Sequence, residues 1–450
     1  MKNRQSPSLV PDGATNRSAA QVPQVGMPRV RRSSRLDREA RALLRLVNLM
    51  SWLPQGKGSV RALREIWRMT ALSMGHRPDV ASVRMHTIDG PGGPIEMRVF
   101  SPNPSAQPLP AFLWCHGGGF MVGGLDTSDS ICRNIARDAG CIVIAVRYRL
   151  APKHDLLASG EDFLAALNWV AEQGAALGID TTRLAIGGDS AGGNISAAVA
   201  QHVAHHGGPN LRLQVLVYPA TELVDEFPSM AENAKGYLLT EDGVRKIAEI
   251  VRVPPNATDP WLSPRRHPDL QGLAPAMIVS AGFDPIRDDG LDYAARLRAA
   301  AVPVEVLHYA GEFHGFLNFD ALVGAGSDAL QRIGTALAAA FDDKPAPDRT
   351  IEIAERYPNL GPLPVAALRE LFLTSLAGWA GAERLGLSLL GRFVPGTSRI
   401  ANRLAESRLV PGIYLRQCAS SSTNRLTASL TYSSTRPPTA RASRPRHEAR

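Results

Sequence analysis

One serine lies in a pattern typical of a covalent nucleophile. The apolar run Leu184 to Gly187 predicts a strand, Gly188 to Gly192 reads Gly-Asp-Ser-Ala-Gly, and a helix-forming stretch follows. Small neighbours around a serine permit a strained strand-to-helix turn that lifts the hydroxyl away from the chain. We therefore predict that Ser190 is a nucleophile, and that Gly188, Asp189 and Gly192 support its turn.

A second motif supplies hydrogen-bond donors for a developing negative charge. The short apolar run Leu113 to Cys115 ends in His116-Gly117-Gly118-Gly119. Consecutive glycines let main-chain N–H groups approach a substrate oxygen without obstruction by side chains. This pattern carries oxyanion donors in enzymes of acyl transfer, so the two motifs together indicate acyl-transfer chemistry.

A serine nucleophile needs a base, and the base needs an acid to orient it. Asp284 directly follows Ala274 to Gly282, which is predicted to be a buried strand, and His314 follows the predicted strand Val304 to Tyr309. Polar residues at the carboxyl ends of parallel strands share one crevice. The spacing therefore predicts Asp284 as the acid and His314 as the base.

Other residues compete for these two roles. Asp288 and Asp289 lie close to Asp284, but they are expected to begin a helix, where acidic residues are favourable. His308 competes with His314, but it lies inside a strand pattern, and we expect a packed or surface histidine there.

The elements that must position these residues alternate between strand and helix. Stretches such as Glu161 to Gln173 have helical periodicity between the apolar runs. This rhythm predicts an α/β fold with a mostly parallel central sheet and helices on both faces. An opening hairpin, Val83 to Ile88 and Ile95 to Phe100, precedes it. The runs predicted as further strands are Phe112 to Cys115, Ile142 to Val146, Leu184 to Gly187 and Leu213 to Tyr218.

The chain resembles the hormone-sensitive-lipase-like branch of α/β-hydrolase esterases, in its bacterial Gly-Asp-Ser-Ala-Gly subgroup. The resemblance covers about residues 80–342 and rests on several motifs: His116-Gly-Gly-Gly-Phe-Met-Val-Gly, Leu125-Asp-Thr, Tyr148-Arg-Leu-Ala-Pro, Gly188-Asp-Ser-Ala-Gly-Gly-Asn, Asp259-Pro-Trp-Leu-Ser-Pro, Gly282-Phe-Asp-Pro-Ile-Arg-Asp and His314-Gly-Phe.

The resemblance implies a role for each residue of the site. Ser190, Asp284 and His314 would form a catalytic triad. The N–H groups of Gly118, Gly119 and Ala191 would form the oxyanion hole. It also implies an α/β-hydrolase fold with a helical cap over the pocket.

The expected activity is hydrolysis of carboxylic esters with short or medium acyl chains, through an acyl-enzyme. An amidase or lactonase with the same triad is an alternative, and so is a ligand-binding relative without turnover. The expected partner is a small-molecule or lipid ester. No cofactor and no metal are expected, because the triad chemistry requires neither.

Charge distribution argues against nucleic acid as a partner. The formal net charge is +8, but residues 1–35 and 416–450 each carry seven Lys or Arg and one acid. Each end thus contributes six positive charges, and residues 36–415 carry about −4. The basic charge lies in the ends and not in the predicted enzyme.

Cysteine usage predicts a cytoplasmic protein. The four cysteines show neither metal-ligand spacing nor the dense framework of small secreted domains. Residues 1–35 lack the apolar core of a secretory signal. The cysteines are Cys115, Cys132, Cys141 and Cys418.

Composition shifts divide the chain into five parts. Residues 79–343 are the predicted catalytic domain, to which 220–264 add part of the cap. A disordered basic arm, 1–35, is predicted first, and cap helices, 36–78, follow it. The alternative for residues 36–78 is a helical hairpin on the edge of the sheet. After the catalytic domain come a helical extension, 344–415, and a disordered basic tail, 416–450. For the extension we expect docking on the catalytic domain or a homodimer contact in preference to peripheral membrane contact.

Overall fold

A twisted sheet forms the centre of the computed structural model, which describes residues 26–51, 60–254, 257–354 and 431–432. In these residues the sheet has ten strands in the order β1-β2-β4-β3-β5-β6-β7-β8-β9-β10. The strands are β1 Ser82–Gly90, β2 Gly93–Ser101, β3 Leu109–Cys115, β4 Ile142–Val146, β5 Ile179–Asp189, β6 Leu211–Val217, β7 Ala276–Phe283, β8 Val304–Phe313, β9 Arg349–Ile353 and β10 Thr431–Tyr432.

The sheet is mostly parallel, which confirms the predicted fold class. Strands β4, β3, β5, β6, β7, β8 and β9 pair in parallel along the sheet. Antiparallel pairs occur only toward its borders in the described chain, where β1 pairs with β2, β2 with β4, and β9 with β10. The predicted opening hairpin is the pair β1–β2.

Helices cover both faces of the sheet, as the apolar strands require. In the part of the chain that the structure describes, the α-helices are α1 Arg38–Ser51, α2 Val60–Met74, α3 Asp129–Ala139, α4 Leu157–Gln173, α5 Ala191–His206, α6 Pro228–Glu232, α7 Glu241–Val251, α8 Arg287–Ala299 and α9 Gly324–Phe341. Single 3₁₀ turns occur at Gly174–Leu177, Pro264–Arg266 and Phe316–Phe319.

Strand β4 illustrates how the sequence builds two apolar layers. Its residues Ile-Val-Ile-Ala-Val are all buried. Successive side chains of a strand point to opposite faces. Val143 and Ala145 therefore join the core under α3 and α9, whereas Ile142, Ile144 and Val146 join the core under α4 and α5. A strand covered on both sides needs no polar alternation, and this explains its continuous apolar run.

The prediction that residues 1–35 form a disordered arm is wrong for the last ten of them. Residues 26–35 lie along the sheet: Ser33 N donates to Ala310 O at 2.8 Å, and His308 Nε2 donates to Arg31 O at 3.1 Å. Met27 and Val30 pack against an apolar cluster of α8 and β8. The composition of this segment is polar and basic, and its partners come from elements about 280 positions away. Local sequence therefore carried no sign of its order.

The predicted end of the catalytic domain at residue 343 is also wrong. The residues that follow are predicted to begin a helical extension, but they continue the sheet. Residues Arg349–Ile353 form β9, which extends the sheet parallel to β8, with Ile351 in the core. Thr431–Tyr432, inside the predicted disordered tail, pair with β9 as β10. The alternation of polar and apolar residues from Thr350 to Ile353 fits a strand, but it is too short beside Pro345 and Pro347 to identify one. The rest of the predicted extension and tail lies outside the described residues.

Helices occur at both places predicted to contribute to a cap. Residues 52–59, between α1 and α2, lie outside the part of the chain that the structure describes. Helix α1 packs Leu43 and Leu44 into the core, whereas Arg64 of α2 donates to the carbonyls of Met121 and Ala151. Helices α6 and α7 lie within the predicted contribution of residues 220–264. Among the described residues, no helix combines the length and apolar character needed to cross a bilayer.

Candidate active site

Ser190 occupies a strained turn between β5 and α5. Its φ is 55° and its ψ is −118°, a conformation that non-glycine residues rarely adopt. The turn is fixed from both sides, because Ser190 N donates to Val217 O at 2.9 Å and Asn194 N donates to Ser190 O at 3.1 Å. The backbone thus holds the hydroxyl at the carboxyl end of the parallel strands.

Close packing explains the small residues around this turn. A Cβ on Gly188 or on Gly192 would clash with the carbonyl oxygen of Cys115 at the end of β3. Glycine at these two positions lets the elbow and the end of β3 approach each other. The same approach brings the loop that begins at His116 beside Ser190.

The glycine loop has an unusual backbone and N–H groups without backbone acceptors in the described chain. Gly118 and Gly119 have φ values of 119° and 57°, and the carbonyl of Gly118 accepts from Met121 N and Val122 N. In the described chain no backbone group accepts a hydrogen bond from the N–H of Gly118, Gly119 or Ala191. Ala191 is the first residue of α5, whose leading N–H groups have no acceptor within the helix.

His314 connects Ser190 to Asp284. Its Nε2 lies 2.9 Å from Ser190 Oγ, and its Nδ1 lies 2.7 Å from Asp284 Oδ2. These partners assign the neutral tautomer that donates from Nδ1 and accepts from the hydroxyl. Asp284 is fully buried, and its other oxygen accepts from Ile286 N at 2.9 Å. The structure therefore brings the three predicted triad residues into one hydrogen-bonded chain.

The competing residues lie elsewhere. Asp288 and Asp289 are in the first turn of α8, where Asp288 accepts from Ser229 N and Asp289 accepts from the Thr221 hydroxyl. His308 lies inside β8 between Ser280 Oγ and Arg31 O, and burial lowers its pKa to about 3. His308 is thus a neutral packed histidine.

Asp189 ties the serine turn to the glycine loop. Its Oδ1 accepts from Gly117 N at 2.8 Å. Burial raises the pKa of this carboxyl to about 6, against the lowering effects of the Gly117 N–H, of nearby His314 and of the Asn318 side chain. The Asp189 side chain therefore fixes Gly117, the second residue of the glycine loop, to the serine turn.

His116 supports the loop and does not reach Ser190. Its ring stacks on Tyr148 at a centroid distance of 4.2 Å, and its Nδ1 donates to Gly117 O at 2.9 Å. Tyr148 Oη donates to His116 O at 2.7 Å. Burial lowers the pKa of His116 to about 4, so the ring is neutral at pH 7. Its environment is that of a structural residue.

Sequence reasoning missed four residues around the site. The ring of Tyr218 lies 4.7 Å from that of His314, and Ile247 of α7 faces Gly119. The Asn318 side chain lowers the pKa of Asp189, and Asn233 bonds the turn that carries Asp284. Tyr218 ends the predicted strand Leu213 to Tyr218 at the catalytic edge, and that position could have drawn attention to it. The other three have no local motif.

A serine, an imidazole and a carboxylate in one hydrogen-bonded chain, beside main-chain N–H groups without backbone acceptors, are the components of an acyl-transfer site. Metal chemistry has different requirements: within the described ranges, no group of three or more His, Cys, Asp or Glu side chains is arranged to hold a metal ion.

Comparisons with known proteins agree with the fold and the motifs. The family described as alpha/beta hydrolase fold matches residues 112–318. The esterase LipI of Mycobacterium tuberculosis is 43% identical over 252 residues, which are 54% of this chain and 78% of that protein. The ethyl acetate hydrolase of Pseudomonas putida is 36% identical over 286 residues, 61% of this chain and 88% of that protein.

A solved structure is similar over the same region. An alpha/beta hydrolase enzyme from the metagenome of Lake Arreo superimposes with a TM-score of 0.66 at 33% identity, over 69% of this chain and 100% of that one. The chain belongs to the alpha/beta hydrolase family, and the resemblance found in its motifs is confirmed.

Proposed function

We propose that this protein is a serine carboxylic ester hydrolase that uses Ser190 as nucleophile, His314 as general base and Asp284 as orienting acid. The observation that carries the proposal is the chain of hydrogen bonds from Ser190 Oγ to His314 Nε2, and from His314 Nδ1 to Asp284 Oδ2. Relatives named esterase and carboxylesterase, 42–43% identical, support the ester as substrate class.

Acylation begins when Ser190 Oγ attacks the ester carbonyl carbon and its proton moves to His314 Nε2. Asp284 holds the imidazole in the tautomer that can accept this proton, and it stabilises the imidazolium that forms. The new oxyanion accepts from the N–H groups of Gly118, Gly119 and Ala191. The C–O bond to the alcohol then breaks, and His314 returns the proton to the leaving oxygen.

Deacylation repeats these steps with water in place of the serine hydroxyl. His314 takes a proton from water, hydroxide adds to the acyl carbon, and the same N–H groups hold the second oxyanion. Collapse releases the carboxylic acid and returns the proton to Ser190. In sites of this kind, each donor that is aligned before the reaction contributes on the order of 100-fold or more to turnover.

The proposed substrates are small-molecule esters with short or medium acyl chains. The position of helix α7 argues for an acyl pocket of limited size. Its residue Ile247 packs over the glycine loop, and a Cβ on Gly119 would stand 2.9 Å from Ile247 Cγ2. A relative named for hydrolysis of ethyl acetate supports the same range. An amidase or lactonase would use the same residues, and the substrate assay below distinguishes them.

The proposal includes a cytoplasmic location. Its support is the chemistry of the thiols: Cys115, Cys132 and Cys141 are buried and free of disulfides. Burial raises the pKa of each of these thiols. They therefore remain protonated core residues. Cysteines without disulfides are typical of proteins in a reducing compartment.

The test is hydrolysis of p-nitrophenyl esters across a series of acyl lengths, together with amide and lactone substrates. We expect turnover with an optimum at short or medium chains, and a loss of roughly 10⁴-fold or more in Ser190→Ala. The matched control is Ser105→Ala in an exposed turn, which should keep full activity. Equal rates in Ser190→Ala and the parent would contradict the proposal, and turnover of amides or lactones alone would replace its substrate class.

A further inference from the structure

Asp284 lies in a turn that is held partly by its own residues and partly by residues far away in the sequence. We call residues 282–288 the acid turn. Within the turn, Ile286 N donates to the Asp284 side chain at 2.9 Å. Arg287 N donates to Asp284 O at 3.2 Å, and Arg287 Nη1 donates to Gly282 O at 3.2 Å. The carbonyls of Gly282, Asp284 and Pro285 also accept hydrogen bonds from residues about 50 positions away in the sequence.

Helix α6 supplies most of these donors. Asn233, which follows α6 directly, donates from Nδ2 to Asp284 O at 3.0 Å and to Gly282 O at 3.3 Å. Ser229 Oγ donates to Pro285 O at 2.8 Å, and Ser229 N donates to Asp288 Oδ2 at 3.0 Å. Both side chains are fully buried. One short helix therefore fixes the backbone on both sides of Asp284.

The amide of Asn233 is itself oriented from the N-terminal segment, residues 26–37. Arg32 Nη1 donates to Asn233 Oδ1 at 2.9 Å, which assigns the amide nitrogen to the side of the acid turn. The guanidinium also pairs with Glu232 at 3.0 Å and lies 5.1 Å from the centroid of the Phe283 ring. Arg32 thus contacts both the helix and the last residue of β7.

The N-terminal segment is anchored on the strand that leads to His314. Ser33 N donates to Ala310 O at 2.8 Å, and Asp37 N donates to Gly311 O at 2.9 Å. These carbonyls belong to β8, three and four positions before His314. Arg32 is therefore held between the strand of the base and the turn of the acid.

We propose that Asn233, oriented by Arg32, is a positioning residue that sets the distance between Asp284 and His314. The inference rests on the proposed function for its kinetic effect. Asn233 touches neither substrate nor Ser190. It acts through the backbone of Asp284, whose carboxylate must stay within hydrogen-bond distance of His314 Nδ1.

The test compares Asn233→Ala, Arg32→Met and Arg32→Lys with the parent and with Arg84→Ala, which changes an exposed arginine on β1. Rates are divided by the concentration of active sites titrated with a reactive phosphonate, so that loss of folded protein does not count. We expect kcat to fall about 10- to 100-fold in Asn233→Ala and less in Arg32→Met, because small displacements at a reacting centre are costly. KM should stay within twofold of the parent.

Arg32→Lys should recover part of the activity lost in Arg32→Met, because the ammonium keeps the positive charge. The recovery should be incomplete, because lysine lacks the planar fork of donors that arginine has. The second readout needs no turnover. It is the downfield NMR signal of the proton on His314 Nδ1, which is assigned by its absence in Asp284→Asn. It should shift or broaden in Asn233→Ala and remain unchanged in Arg84→Ala.

An unchanged kcat per active site and an unchanged proton signal in Asn233→Ala would overturn the inference. A raised KM with constant kcat would do so too, because it would assign Asn233 to substrate binding. A parent without ester hydrolysis would contradict the proposed function, and the proton signal would still decide the positioning role.

Discussion

The turns of Ser190 and Asp284 lie at the same edge of the sheet but are held in different ways. The serine turn depends on nearby backbone: strained dihedrals, glycines against the end of β3, and one carboxylate that bonds Gly117. The acid turn depends on side chains from α6 and from the N-terminal segment. The first arrangement leaves a motif in the sequence, and the second leaves none.

This difference predicts different responses to substitution. At the serine turn a single added methyl group meets rigid backbone, so the damage should be large and should affect folding. At the acid turn, side-chain hydrogen bonds can be removed singly, so activity should fall while the fold persists.

Gly192→Ala should have the largest effect. Its Cβ would stand inside contact distance of the Cys115 backbone, and neither element can move without displacing the other. We expect a loss of more than about 4 kcal/mol of stability, which leaves little folded enzyme. Urea denaturation and activity measure this. Gly174→Ala, where a Cβ meets only ordinary contacts at 3.4 Å, is the control, and equal stability of the two variants would refute the account of the serine turn.

Asp284→Asn should lower kcat by about 10⁴-fold while the protein stays folded. The amide oxygen can still accept from Ile286 N, but the amide nitrogen then faces His314 Nδ1 and favours the wrong tautomer. Steady-state kinetics with circular dichroism measure the two effects separately. A reduction of less than about tenfold would remove Asp284 from the proposed triad and return Asp288 and Asp289 to consideration.

Asp189→Asn should change stability in a pH-dependent way. Burial raises the pKa of Asp189 from 3.8 to about 6, so the folded parent resists ionisation of this group as the pH rises through that range. The neutral amide avoids this cost. The variant should therefore gain stability relative to the parent between about pH 4 and pH 6.5, by about 1–3 kcal/mol.

Urea midpoints of Asp189→Asn and the parent, measured across this range, test the sign. A difference that stays constant with pH would mean that Asp189 ionises normally in the fold. A relative loss of stability of the variant with rising pH would mean that the contact with Gly117 outweighs the burial of charge.

Gly119→Ala should have the smallest effect, a loss of about tenfold in kcat. The alanine must adopt a φ of 57°, and its Cβ meets Ile247 Cγ2 at 2.9 Å, but that methyl group ends a side chain that can move. The double variant Gly119→Ala/Ile247→Ala should recover part of the loss. If the second substitution gives no recovery, the effect comes from the backbone alone and α7 does not press on the loop.

Local chemistry made the fold class and the site motifs predictable. The buried run Ile142 to Val146, the glycines around Ser190, and the polar residues directly after β7 and β8 each follow from short-range rules. The positions of Asp284 and His314 could be predicted because parallel strands end at one edge. The roles assigned to Ser190, Asp284, His314 and the oxyanion donors stay predictions that the geometry supports.

Contacts over long sequence distances made the rest unpredictable. Arg32 lies in a segment whose composition suggests disorder, and it is ordered by Glu232, Asn233 and Phe283, about 200 or more positions away. Strand β9 is recruited by the edge of β8. Its residues Thr350 to Ile353 alternate polar and apolar as a strand does, but so short an alternation does not identify a strand by itself. Asn233 lies at the end of a five-residue helix, where an asparagine is unremarkable by itself.

Covalent labelling of the nucleophile tests the central claim most directly. The purified parent protein is treated with a p-nitrophenyl phosphonate ester and digested, and the modified peptide is located by mass spectrometry, with Ser190→Ala and Ser105→Ala treated in parallel. The account predicts one phosphonyl group per chain on Ser190, release of nitrophenol in the same amount, and no label in Ser190→Ala. A label on another residue, or equal labelling of Ser190→Ala, would contradict it.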